Sequence, residues 1–343
     1  MGGVVSVVNL TPALVLMLAL LIDRWLGEPP ARLHPVVWVG RYLGWAGRRL
    51  QCIAQPEGMV DYKAFWLAAL YWCAGAAIFS GAAWGLAQGV PFVGLALSGL
   101  FTGDALVAEG LSQLLAVVLL ALLFKPMLAW AMLKNEVRAV EAALTESLAA
   151  GRARLSWLVS RDVSALTEAQ VRESAIESLA ENLNDSVVSP IFWFVLLGLP
   201  GAALYRFANT ADAMWGYKGV YKGQNWEWAG KWAARVDDGL SWLPARLTGL
   251  FLALTCGVHV AALGREASKT PSPNSGWPMA AMALALNIRL GKPGVYTLNP
   301  KGNAPRQADT QRAINFASKV LMVLISIALV AIYVIAFLGA AKP

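Results

Sequence analysis

The stretch from Arg172 to Lys218 reads RESAIESLAENLNDSVVSP, then IFWFVLLGLPGAALYRF, then ANTADAMWGYK. An acidic polar segment runs directly into an apolar one, which gives way to a second polar motif. Glu173, Glu177, Glu181 and Asp185 stand at every fourth position, so a helix gathers them into one acidic stripe that drifts slowly around its axis. Like charges at that spacing repel by about 0.2–0.5 kcal/mol per pair, and the ladder calls for a cation. Two readings fit: a solvated face neutralised by Arg172 and neighbouring bases, or ligands for a metal or a metal-nucleotide. Asn182 and Asp185 stand where the chain turns apolar, and Asn209 and Asp212 where it turns polar again. Pro190, Gly198, Pro200 and Gly201 allow residues 187–208 to break or re-enter, which would carry Glu181 and Asp185 close to Asn209 and Asp212.

Outward from this stretch, composition sets the class. Of 343 residues, 57% are hydrophobic and 14% charged, and the mean hydropathy is +0.54. Those values place the chain in a membrane. Uncharged runs at 1–22, 64–86 and 320–341 are each long enough to cross about 30 Å of hydrocarbon. A fourth, 111–133, is interrupted only by Lys125, which snorkels or faces the interior. No Lys or Arg precedes the first run, so it reads as a retained anchor rather than a cleaved signal.

Charge then orients the chain. Residues 41–63 carry four Lys or Arg and 87–110 none, which puts the first stretch in the cytoplasm and the second outside. The polar region 134–186 and the region 264–319, with eight bases, fall on the cytoplasmic side. The expected fold is all-α: one membrane-embedded polytopic domain over 1–343 with about four spans. Two Pro/Gly-broken or re-entrant segments lie at 187–208 and 243–263, with a cytoplasmic helical insertion at 134–186 and a cytoplasmic loop region at 264–319. Val137 to Leu148 has the period of an amphipathic helix closing near Gly151, and Thr167 with Gln170 forms a capping box for a helix from about Glu168 to Asn182.

The net charge of +7 suits an anionic leaflet or anionic substrates. The bases are interleaved with acids and apolar spans, which argues against nucleic acid. Cys52, Cys73 and Cys256 share no ligand spacing and read as packing residues. Most of the 15 Trp fit an interfacial belt or a platform for a flat ligand. Near 269–294, Asn274, Ser275 and Arg289 surround a helix start that would hold an anion, although loops of this composition are more often simple turns. No Walker A loop, Rossmann fingerprint, HExxH or GxSxG occurs.

Six motifs in order carry a resemblance: DRWLGEPPxxxHPV at 23–36, ESxAENxxDSVVSP at 177–190, YRFANTADAMWGYK at 205–218, RVDD at 235–238, WLPARLT at 242–248 and SPNSGWP at 272–278. Together they resemble the adenosylcobinamide-phosphate synthase family of cobalamin-biosynthesis membrane proteins, from about residue 20 to 319. Ser186 and Met279 depart from the family pattern, which often has Gly and an acid there. The resemblance implies an amide ligation, in which adenosylcobyric acid is joined to (R)-1-amino-2-propanol or its O-phosphate at the expense of ATP with Mg²⁺. It implies Glu177, Glu181 and Asp185 as metal ligands, with Asn182 in support and Asn209 and Asp212 completing the site. Arg206 and Lys218 would contact phosphate, as would Asn274 at its helix start, and Arg24 and His34 would contact substrate carboxylate or phosphate. Glu181, Asp212 and His34 are the candidate catalytic groups, with Asp212 or His34 as base. The expected setting is the bacterial inner membrane with the site facing the cytoplasm, the protein forming a homo-oligomer or associating with other enzymes of the pathway. A Mg²⁺-dependent membrane alcohol or prenyl transferase, and a non-catalytic transporter or sensor, are the alternatives.

Overall fold

Thr167 begins a helix where its capping box predicts one. In the computed structural model, which describes residues 10–52, 54–55 and 58–340, Gln170 donates its backbone N–H to the Thr167 hydroxyl. The Thr167 N–H in turn donates to the Gln170 side chain at 2.8 Å. Two of the four orphan donors of the first turn are thereby satisfied.

The element order is α1 Thr11–Leu26, α2 Pro35–Gln51, α3 Tyr62–Phe101, α4 Ala105–Phe124, α5 Trp130–Glu146, α6 Leu148–Leu155, α7 Glu168–Leu183, α8 Ser189–Trp215, the hairpin β1 Val220–Tyr221 and β2 Gln224–Asn225, α9 Lys231–Cys256, α10 Val260–Ala267, α11 Gly276–Leu286, the hairpin β3 Leu290–Lys292 and β4 Tyr296–Leu298, and α12 Gln307–Ala340. A π-helical turn, Asn184–Val188, joins α7 to α8. Among the described residues, five helical stretches are long and apolar enough to cross a membrane: Tyr62–Leu100, Ala105–Glu146, Glu168–Trp215, Lys231–Cys256 and Gln307–Gly339. The protein is a polytopic helical membrane protein, with five such stretches where the hydropathy runs suggested about four spans and two broken segments.

The chain forms two compact units. The first gathers Met1–Leu128, Pro190–Leu240 and Ile327–Pro343; the second gathers Ala129–Ser189 and Ser241–Ser326. Val39, Leu43, Trp72, Phe207, Trp215 and Trp226 pack at the heart of the first. Trp215 stacks on Trp226 with ring centroids 6.1 Å apart and donates its indole N–H to the Leu43 carbonyl. These two tryptophans are therefore core residues, neither belt nor platform.

Several expectations are corrected. Residues 87–110 are no loop: α3 continues through Pro91 to Phe101, and α4 starts at Ala105, capped by Asp104. The first apolar run begins its described helix at Thr11 and continues to Leu26; its residues 1–9 lie outside the described residues. The apolar run 243–263 is the end of α9, a turn at Gly257 and the start of α10. The region 264–319 contains α11, a β-hairpin and the first turns of α12. Gly151 sits inside α6, where a Cβ would strike Leu144, rather than ending α5. The break foreseen in 187–208 is present: within α8, Gly198 takes φ 67° and ψ −156°, a conformation only glycine adopts readily.

Candidate active site

In the second unit, α7 turns its acidic stripe inward. Glu173 and Glu177 are only 5% and 4% exposed, and Glu181 and Asp185 are half-buried, so the first half of the stripe is buried rather than solvated. A buried carboxylate needs a partner, and each has one. Arg289 donates to Glu173 Oε1 at 3.2 Å. Arg161 donates to Glu177 Oε2 at 3.0 Å and to Ser174 Oγ at 2.6 Å, while the Tyr296 hydroxyl donates to Glu177 Oε1 at 3.0 Å. Arg172, expected to neutralise the stripe, instead grips Glu141 with Nε and Nη2 and pairs with Glu168 at 2.7 Å.

Beside Glu177 lies a cavity of about 330 Å³, walled by four pieces of the second unit. Arg161 and Ser160 come from the loop before α7; Glu177, Ser178, Glu181 and Asn182 from α7; Thr270, Ser272 and Ser275 from the loop before α11; Lys292 and Tyr296 from the β3–β4 hairpin. Two carboxylates, one amide, several hydroxyls and two cations thus share one space. Burial first, and then the Glu177 carboxylate beside it, push the Tyr296 hydroxyl far above its ordinary range. Tyr296 therefore stays a proton donor to Glu177 at any physiological pH.

The sequence reading placed Glu177, Glu181 and Asn182 together, and the structure brings all three to this cavity wall. Asp185 lies one turn on, in the π-helical turn, where Asn184 Nδ2 donates to its Oδ1 at 2.8 Å; it is not among the lining residues. Asn274 is buried behind the wall and accepts from Arg246 Nη1 at 3.2 Å. Arg289 is committed to Glu173 and does not serve the start of α11. Arg161, Lys292 and Tyr296 escaped the sequence reading. Lys292 had a signal in KPGV, where Pro and then Gly mark a tight turn; Arg161 and Tyr296 had none.

Arg24, His34, Arg206, Asn209, Asp212 and Lys218 belong to the first unit. On α8, Arg206 Nη1 reaches Asn209 Oδ1 at 3.5 Å. Asp212 follows one turn later; the Tyr217 hydroxyl is pushed up to about 12 by burial first, then by Tyr221 and the Asp212 charge. Lys218 and Arg24 are exposed. His34 caps α2: its Nδ1 accepts from the Val36 N–H at 3.2 Å, so the ring proton sits on Nε2, 3.2 Å from Glu28 Oε2. Lys125 completes this network, buried with Nζ 2.7 Å from Glu28 and 3.5 Å from Asp23. It faces the interior and does not snorkel. Burial pushes the Glu28 carboxyl up, but the bonds from His34 and Lys125 outweigh it and leave it below the usual range.

Among the described residues no three His, Cys, Asp or Glu side chains are grouped to hold a metal alone. The donors present, Glu181 and Asn182 beside Glu177, match what magnesium takes from protein when phosphates and water supply the rest.

A helical membrane protein with a charged, hydroxyl-lined cavity is the class these features define. The model of the family described as CobD/Cbib protein matches residues 16–337, and the chain belongs to that family. It is 38% identical over 322 residues to a probable cobalamin biosynthesis protein CobD of Pyrococcus abyssi, covering 94% of this chain and 97% of the relative. It is 37% identical over 291 residues to the protein of the same name from Methanothermobacter thermautotrophicus, covering 83% and 86%. To the cobalamin biosynthesis protein CobD of Brucella suis it is 35% identical over 297 residues, covering 82% and 83%. No solved structure matches.

Proposed function

We propose that this protein is a membrane-embedded amide ligase of cobalamin biosynthesis, joining the propionate of adenosylcobyric acid to (R)-1-amino-2-propanol or its O-phosphate with consumption of ATP. Family membership supports the pathway. The observation that carries the chemistry is the cavity of the second unit, where Glu181, Asn182 and a ring of hydroxyls face Arg161 and Lys292.

A carboxylate and an amine do not condense in water unaided. In the reaction we assign, a carboxylate oxygen attacks the γ-phosphorus and ADP departs with the electrons of the broken P–O bond. The amine nitrogen then attacks the acyl carbon, and inorganic phosphate leaves as the amide forms. Mg²⁺ would neutralise charge on the phosphates, held by Glu181 and Asn182. Glu177 has both oxygens engaged, by Arg161 and Tyr296, and we assign it the orientation of those two groups rather than the metal. Asp212 and His34 are the candidates for the base that takes the amine proton, and both belong to the first unit. His34 is a poor one, because Nδ1 already accepts from Val36 and Nε2 carries the proton. The active site faces the cytoplasm, where ATP is available.

Purified protein in detergent, given adenosylcobyric acid, ATP, Mg²⁺ and each amine in turn, tests the reading. Amide product formed with stoichiometric ADP and phosphate supports it. No turnover with either amine, by protein that remains folded, overturns it.

A further inference from the structure

The segment GKPGVY, residues 291–296, is a hairpin tip whose geometry follows from its sequence. The Val295 N–H donates to the Lys292 carbonyl at 2.9 Å, closing a four-residue turn with Pro293 second and Gly294 third. Gly294 has φ 74°, the left-handed value a type II turn requires at that place. The turn fixes the register of β3 and β4, in which Lys292 stands directly opposite Tyr296. Side chains of a directly opposed pair share one face of a hairpin, and both of these line the cavity.

The two residues differ in what they touch. Tyr296 is tied down: its hydroxyl donates to Glu177 Oε1 at 3.0 Å and lies 3.8 Å from Met279 Sδ. Lys292 makes no ion pair among the described residues, although it lies close enough to Glu177 for their charges to interact. Arg161, the other cation of the cavity, has its charge paired with Glu177 and uses Nη2 on both Glu177 and Ser174, leaving Nε without a hydrogen-bond partner. Lys292 is thus the cation of the cavity whose charge no carboxylate already pairs among the described residues.

We propose that Lys292 is the anion-contacting residue of the cavity and that Tyr296 is its positioning residue, holding the hairpin tip on Glu177 so that the ammonium meets an incoming phosphate group. The identity of that anion as the nucleotide's phosphates rests on the ligase reading above. A lysine is suited to the task as a compact charge with three donors that can follow a moving phosphoryl group.

The test measures Mg²⁺-ATP affinity of the full-length protein in detergent, together with kcat and KM for ATP, across a small set of variants. Lys292→Met is expected to weaken affinity about ten- to a hundredfold, the worth of one hydrogen bond to a charged group. Lys292→Arg should restore most of it with an unchanged melting temperature. Tyr296→Phe keeps the ring and loses only the bond to Glu177; it should raise KM for ATP, and adding Lys292→Met to it should cost less than in the parent protein. That non-additivity is a readout a purely structural tyrosine would not give. Unchanged affinity in Lys292→Met, with affinity lost in Glu181→Ala, overturns the Lys292 assignment and leaves the ligase reading standing. Additive effects of Lys292→Met and Tyr296→Phe overturn the positioning role. Unchanged affinity in Lys292→Met and Glu181→Ala alike overturns the nucleotide reading of the cavity beneath both.

Discussion

The protein buries charge in two places and does so differently. In the first unit, Lys125 pairs with Asp23 and Glu28, and His34, which caps α2, reaches the same Glu28 oxygen. In the second, Glu177 is held by Arg161 and Tyr296 at the edge of a cavity whose other walls carry Glu181, Lys292 and six Ser and Thr side chains, among them Ser178 and Ser272. The network of the first unit pairs its charges from within: Lys125 is 3% exposed and makes two ion pairs. The second keeps a lysine and hydroxyl groups turned to open space. Charges arranged the first way lock a loop, here Gly27 to His34; charges arranged the second way await a ligand.

If that distinction is right, removing cations from the two places has different consequences. The largest effect belongs to Lys125→Met, which strands two carboxylates; breaking a buried pair costs about 3–5 kcal/mol, read as a lower melting temperature and less folded protein in the membrane. The molecules that do fold should bind Mg²⁺-ATP normally, and loss of binding per folded molecule would erase the contrast. Arg161→Met should also destabilise, by less because Tyr296 still donates to Glu177, but here nucleotide affinity should fall in the folded fraction as well. Next in size, His34→Ala removes a cap and should cost about 0.5–2 kcal/mol in thermal unfolding. Thr167→Ala, at the other cap, should cost a similar amount and leaves the first unit's network untouched, which makes it the control.

The smallest effect sharpens the comparison through pH. Glu28 is held below its ordinary value by His34 and Lys125, so the folded state binds its proton less readily than the unfolded chain does. Its contribution to stability is present above the ordinary glutamate range and is lost as pH falls through the folded value. Wild type should therefore exceed Glu28→Gln in melting temperature at neutral pH, with the gap closing under acid. A gap that widens on acidification contradicts the arrangement.

Much of this was legible in the chain before any coordinates. The capping box at Thr167 fixed the start of α7, and the four-residue spacing of Glu173, Glu177 and Glu181 put them on one face, because both signals are local. The glycine and prolines of 187–208 announced a break, found at Gly198. What stayed hidden was set by long-range packing. Whether the stripe faced water or interior depends on Arg289 and Tyr296, more than a hundred residues away, and no spacing rule links them to α7. Residues 87–110 carry glycines and a proline along their length, so Gly103 and Asp104 did not stand out as the start of α4 until the Asp104 capping bond showed it. His34 stands out by its residue type; that its Nδ1 accepts from the Val36 N–H and caps α2 was not legible in the sequence.

The central claim is that the cavity bounded by Glu181 is where ligation occurs. The most direct measurement is the rate of amide formation by Glu181→Ala in membranes or detergent, compared with wild type at equal amounts of folded protein. We predict loss of ligation with membrane insertion and melting temperature preserved. Full ligation by that variant would contradict the account.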